Sequence, residues 1–141
     1  MKRLTTSGYR ALSHDLAALI LRLGVGVLMI PTYGYGKWVN FAAKKNDFYD
    51  FLGLGGTISM GLAIFAELFC SILLILGLFT RLATIPLIIT MLVVISVHDW
   101  QLFGKHELAP AFLTMHLAIL LLGPGRYSLD AWITKRQAYR R

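Results

Sequence analysis

FAELFCSILLILGLFTRLATIPLII, residues 65–89, contains one carboxylate, Glu67, and one basic residue, Arg81. Almost every other side chain in it is apolar. The stretch reads as two helices joined by a tight turn at FTRL, with Arg81 in the turn and the acid inside the first helix. A soluble helix would show a polar face at helical spacing. Residues 82–97 offer only Thr84, Thr90 and Ser96 for such a face, so these helices belong in a bilayer. Glu67 then poses the chemical question, because a carboxylate in apolar surroundings is costly unless it is protonated or paired.

The same pattern repeats on both sides. Spans are predicted at about 16–36, 57–79, 82–98 and 108–123, approaching the ~20 apolar residues that cross a hydrocarbon core about 30 Å thick. Apolar residues make up 57% of the chain and charged ones 15%, against roughly 25% charged in soluble domains. The missing charges are absent from long blocks rather than thinned evenly. The expected fold class is therefore all-α: a four-helix transmembrane bundle, one integral membrane domain over residues 1–141, with an interfacial amphipathic segment between the first two spans. Pro86 and Pro110 fall in the opening turns of the third and fourth spans, where a missing N–H is tolerated. Those two spans are short, roughly 24 Å as helix, and are expected to thin the bilayer or to be extended by Trp100, Leu102 and Phe103.

The formal net charge is +7, but the basic residues flank hydrophobic segments and form no nucleic-acid motif, so nucleic acid is not an expected partner. Lipid is. With an even number of spans both termini lie on one side, together with Lys2, Arg3, Arg10, Arg81, Arg126, Lys135, Arg136, Arg140 and Arg141. The opposite side holds Lys37, Lys44, Lys45 and Lys105. Positive-inside bias places both termini in the cytoplasm. The residues before Leu16 are too polar for a cleaved leader, so the first span is expected to be retained. The single cysteine, Cys70, allows neither an intrachain disulfide nor a CxxC pair.

The first loop, KWVNFAAKKNDFYDFLGLGG (37–56), is longer than a turn requires. Trp38, Phe41, Phe48, Phe51 and Leu52 fall near helical spacing among polar neighbours. That pattern fits an interfacial amphipathic helix over the mouth of the bundle, or equally an aromatic belt with no covering role.

Helix rise converts sequence into depth. Glu67 lies about 21 Å, and His98 about 25 Å, from the level of Arg81. Lys37, at the end of the first span, reaches the same layer. Lys37, Glu67 and His98 are thus expected to form a charge-compensated cluster around a wet or ligand-filled cavity. A second layer holds Arg22 and His116, each about 10 Å from the side carrying the termini. Arg22 either snorkels to lipid phosphates or pairs across helices with Glu67; sequence leaves both open. Tyr33 and Tyr35 beside Lys37 are candidate donors to a ligand, or members of the aromatic belt. Cys70 shares a helical face with Glu67 and is read first as a small packing residue. His98, His106 and His116 are too far apart along the chain and in depth for a three-histidine metal site, so no metal is expected.

Three stretches together carry a resemblance: RLGVGVLMIPTYGYGKW (22–38), AELFCSILLILGLFTRLA (66–83) and LLLGPGRYSLDAW (120–132). In this order they resemble the DoxX family of small bacterial four-span membrane proteins, over nearly the whole chain. The resemblance implies a four-helix bundle in the bacterial inner membrane. It also implies a link to thiosulfate:quinone oxidoreductase and to membrane complexes that resist oxidants and handle sulfur. By position, Arg22, Lys37, Glu67 and Arg81 match the family's recurring polar residues; the structural turn role of Arg81 is read from FTRL. Similar four-span thiol oxidoreductases use paired cysteines, which this chain lacks, so dithiol chemistry of its own is not expected.

Three functions follow as expectations. The first is a membrane subunit of a redox or sulfur-handling system, holding a quinone or small anion in the Lys37/Glu67/His98 layer and drawing electrons from a partner protein. The second is a non-enzymatic scaffold or assembly factor whose polar core fixes helix register. The third is a small-solute transporter, which four short spans permit only through a narrow path or in a homo-oligomer. Enzyme activity is left undecided.

Overall fold

A computed structural model of the chain describes residues 11–100, 103 and 107–138. Of the residues read above, Lys2, Arg3, Arg10, Leu102, Lys105, His106, Arg140 and Arg141 lie outside the described set.

The fold is all-α, and no strand occurs among the described residues. The first span is one long rod made of α1 (Ala11–Met29), a π-helical segment (Ile30–Gly34) and α2 (Tyr35–Val39). The widened turn contains Pro31, which has no N–H to continue the i→i−4 ladder, so the helix slips to a longer repeat. After α3 (Phe41–Lys44) and a loop, the second span is built the same way. It consists of α4 (Gly56–Ile64), a second π-helical segment (Phe65–Cys70) and α5 (Ser71–Leu76). No proline accounts for this second widening; it lies against Gly34 of the first. The third span is α6 (Thr80–Val97) and the fourth α7 (Leu108–Leu122), and α8 (Leu129–Ala138) ends the described chain.

Three stretches are long and apolar enough to cross a membrane, Leu12–Val39, Gly56–Leu76 and Thr80–Val97; Leu108–Leu122 is a shorter apolar helix. The predicted spans match these within a few residues, except that the first starts earlier and the second stops at Leu76. Each helix packs on its chain neighbours and α7 returns to α1, closing a four-membered ring. Leu74, Leu87, Met91 and Ile119 have no exposed surface, whereas Ile20, Leu82 and Leu121 are 68%, 66% and 81% exposed. Large aliphatic side chains on the outside of such a ring are what a hydrocarbon solvent selects and water does not.

Two sequence expectations need adjustment. The segment between the first two spans is not one helix: residues 37–39 close α2, Phe41–Lys44 form the short α3, and the rest, through Gly55, is loop. Pro86 is in the second turn of α6, seventh from its start and past the first four N–H groups, which have no ladder partner. It therefore removes a real ladder bond, to the Leu82 carbonyl. The helix C-terminal to it continues, with Thr90 Oγ1 donating to the Pro86 carbonyl at 2.8 Å.

The turn at 77–80 is set by backbone conformation. Gly77 takes a left-handed φ of +68°. Its N–H donates to the Leu74 carbonyl at 3.1 Å, and that of Leu78 to the Leu73 carbonyl at 3.0 Å. This pair of bonds closes a helix C-terminus in the Schellman manner.

Candidate functional site

Two polar centres are built into the ring, one near the long-loop end and one at the end carrying the termini.

At the long-loop end the two π-helical segments meet. A Cβ on Gly34 would lie 3.1 Å from the carbonyl carbon and oxygen of Glu67, so glycine lets the backbones approach this closely without crowding. Three residues further on, Lys37 Nζ donates to Glu67 Oε1 at 2.5 Å and to Oε2 at 2.6 Å. The Glu67 side chain is fully buried and that of Lys37 is 21% exposed. The buried acid is thus neutralised by an ammonium from the neighbouring span. Lys37 also stands 5.4 Å from the centroid of the Tyr33 ring, which in turn meets Phe112 of α7 edge-on, centroids 5.8 Å apart.

The ion pair lies on the wall of a cavity of about 560 Å³, within the 300–1,000 Å³ usual for small-molecule sites. Tyr33, Lys37, Glu67 and His98 all line it, and the remaining walls are mostly aliphatic and aromatic. Phe48, Tyr49 and Phe51 of the first loop also line it. The three residues read as one layer, Lys37, Glu67 and His98, are therefore collected around one space, with Tyr33 beside them. His98 Nδ1 lies 2.7 Å from the carbonyl of Val94, one turn back on its own helix. Ser59 and Thr90 line the cavity too; lone hydroxyls in apolar runs gave no sequence signal.

At the other end Arg22 does neither of the things the sequence left open. It is completely buried, so it does not snorkel, and it points away from Glu67. Its Nη2 donates to the Tyr127 carbonyl at 2.5 Å and its Nη1 to the Leu74 carbonyl at 3.4 Å. Leu74 is in the last turn of α5, where unpaired carbonyls and the helix dipole favour a cation. The Asp130 carboxylate adds a coulombic attraction. Asp130 accepts from the N–H groups of Phe79 and Thr80 at 2.8 and 2.9 Å and from Thr80 Oγ1 at 2.9 Å, which caps α6. Its own N–H donates to the Gly77 carbonyl at 2.9 Å. Arg81 packs on Gly123, and the Arg126 N–H donates to Asp15 Oδ1 at 2.9 Å. The segments GLFTRLA and GPGRYSLDA thus form one clasp with Arg22 and Asp15 of α1.

Asp130, Asp15 and the helix α8 were not anticipated. Ser128 was the available signal: its Oγ accepts from the Ala131 N–H at 3.1 Å, an N-cap spacing legible in SLDA. His116 belongs to neither centre by direct contact. It is buried, its ring 6.2 Å from that of Phe112. Neither ring nitrogen has a partner at hydrogen-bond geometry, nor have Ser71 Oγ and Arg22 Nε. Among the described residues, no three His, Cys, Asp or Glu side chains converge as metal ligands.

A family model described as DoxX matches residues 17–100, more than half of the chain. The match covers Arg22, Gly34, Lys37, Glu67, Arg81 and His98. No curated protein and no solved structure matches the chain.

Proposed function

Because this chain belongs to the DoxX family, we propose that it is the membrane subunit of a redox system and that its cavity holds a quinone against Lys37 and Glu67. The observation that carries this is a buried ion pair on the wall of an otherwise apolar space of ligand size. Intramembrane ionisable residues that face a cavity mark functional sites more often than structural ones.

The chemistry follows from the two groups. Lys37 Nζ donates hydrogen bonds and holds positive charge, which suits a carbonyl oxygen that gains electron density. The Glu67 carboxyl exchanges a proton at either oxygen. Lys37 is 21% exposed, which gives the pair a path for proton exchange with water. Reduction of a quinone to a quinol consumes two electrons and two protons; the pair handles the protons, and a partner protein supplies the electrons. A free sulfur anion fits less well, because the charge of Lys37 is already compensated by Glu67. A through-path for solutes is also less well supported: beneath Glu67 the bundle is filled by Leu74, Leu87, Met91 and Ile119, all with no exposed surface.

The scaffold reading draws on the other centre, where Arg22, Asp130 and Asp15 bond within the chain. We further propose that the termini face the cytoplasm of a bacterial inner membrane. Arg81, Arg126, Lys135 and Arg136 are at that end, against Lys37, Lys44 and Lys45 at the other. Cysteines placed at Gln137 and at Lys44 in a Cys70→Ser background should label from opposite sides of sealed vesicles.

The quinone reading is tested by binding of a short-tailed benzoquinone to purified protein. Glu67→Gln and Lys37→Met should each weaken binding by about tenfold or more, the size of a lost hydrogen bond to a charged group. Unchanged affinity in both variants refutes it.

A further inference from the structure

We propose that the cavity is loaded sideways, from the lipid, and that its occupant is a membrane-dissolved amphiphile. Its hydrocarbon tail would run out through the gap between α4 and α6. This rests on reading the cavity as a ligand site and adds where the ligand comes from and what its other end must be.

The rims of the cavity supply the first argument. Leu62 and Phe65 on one side and Ile89 and Val97 on the other line the cavity, yet they are 47%, 49%, 46% and 43% exposed. A side chain that is both wall and surface marks an opening. All four are apolar and lie inside membrane-crossing stretches, so that opening faces acyl chains. It exists because α6 packs on the second π-helical segment and on α5, while α4 and α6 scarcely touch. The two helices splay apart beyond Glu67.

The aqueous side is covered by a loop rather than sealed: of its three lining residues, Phe48, Tyr49 and Phe51, Tyr49 is 49% exposed. The loop carrying Phe48 and Phe51 covers the outer mouth and is stitched to the start of α4. The Phe51 N–H donates to Ser59 Oγ at 2.9 Å, Ser59 Oγ donates to the Gly55 carbonyl at 2.8 Å, and the Gly55 N–H donates to Asp50 Oδ1 at 2.7 Å. Along α6 the lining runs from Pro86 to Val97, with His98 just beyond, about twelve residues or 18 Å of helix. That is a slot rather than a cup. Its charged groups, Lys37 and Glu67, neutralise one another, so the slot suits a polar uncharged head followed by an apolar chain.

The test uses two tritiated probes with the same benzoquinone head, one carrying a decyl tail and one without, and protein in nanodiscs read by scintillation proximity. The tailed probe should bind about tenfold or more tighter, since only it gains apolar contact in the slot. Ile89→Trp and, separately, Val97→Trp narrow the lipid-facing gap and should slow association of the tailed probe by about tenfold, because access then requires a rearrangement. Asp50→Ala loosens the outer loop and should leave that rate unchanged. Both tryptophan variants place their ring at a lipid-exposed position, and the reactivity of buried Cys70 reports whether each is folded. Faster association in Asp50→Ala with no change in either tryptophan variant overturns lateral loading. Equal affinity for the two probes overturns the tail while leaving the pocket. No binding of either probe overturns the pocket, and lateral loading with it.

Discussion

Replacing Lys37 by Met removes one partner of a buried ion pair and leaves Glu67, with no exposed side-chain surface, facing apolar neighbours. Breaking such a pair from one side costs about 3–5 kcal/mol, whereas replacing both partners by apolar groups is near neutral or stabilising. Lys37 retains 21% exposure, and water reaching its position softens the loss, so about 3 kcal/mol is expected. For a chain of this size 1 kcal/mol moves Tm by roughly 3–4 °C, hence a fall of about 10 °C. Cys70, the one cysteine and a buried one, provides the reporter: a thiol-reactive dye becomes fluorescent as the bundle opens. Glu67→Leu combined with Lys37→Met should recover most of the loss, and Lys44→Met, on the exposed surface, should shift Tm by under about 2 °C. If Lys37→Met melts with the wild type, or if the double variant melts as low as the single one, the pairing does not govern the packing of Glu67.

Gly34→Ala places a methyl 3.1 Å from the Glu67 carbonyl; overpacking of this kind costs about 1–3 kcal/mol, and the same dye melt should show it. Asp130→Ala strips the cap from α6 and should cost about 1–2 kcal/mol, with Asp130→Asn recovering part of it. Arg22→Met removes the donors to Leu74 and Tyr127; trypsin should then cut at Lys135 and Arg136 several times faster, while quinone binding at the distant cavity is unaltered. Cys70 in the native protein should resist a water-soluble maleimide for hours and react at once in denaturant, because it is 2% exposed.

Much of the site was legible because depth in a membrane helix is a linear function of position. Lys37, Glu67 and His98 line one cavity together with Tyr33, and rise per residue sufficed to put the first three in one layer. Depth alone says nothing about azimuth. Arg22 was left free to reach up toward Glu67 from the lower layer, yet it turns to the carbonyls of Leu74 in α5 and of Tyr127. Those carbonyls are peptide groups that every residue has, so no residue type advertises them. Asp130 was overlooked for a related reason. Its partners are the N–H groups of Phe79 and Thr80, fifty residues away and invisible until the turn takes its shape.

The apolar blocks, their lengths and the placement of basic residues determined by themselves that this chain folds as antiparallel helices in lipid, since transfer of side chains into hydrocarbon depends on composition and length alone. Which polar groups satisfy one another was decided only by tertiary packing. Two widened helical turns, Pro31 in one and Gly34 against the other, set the register that brings Lys37 onto Glu67. The splay of α4 from α6 leaves a cavity beside that pair, because helices that diverge above a close contact cannot fill the space between them.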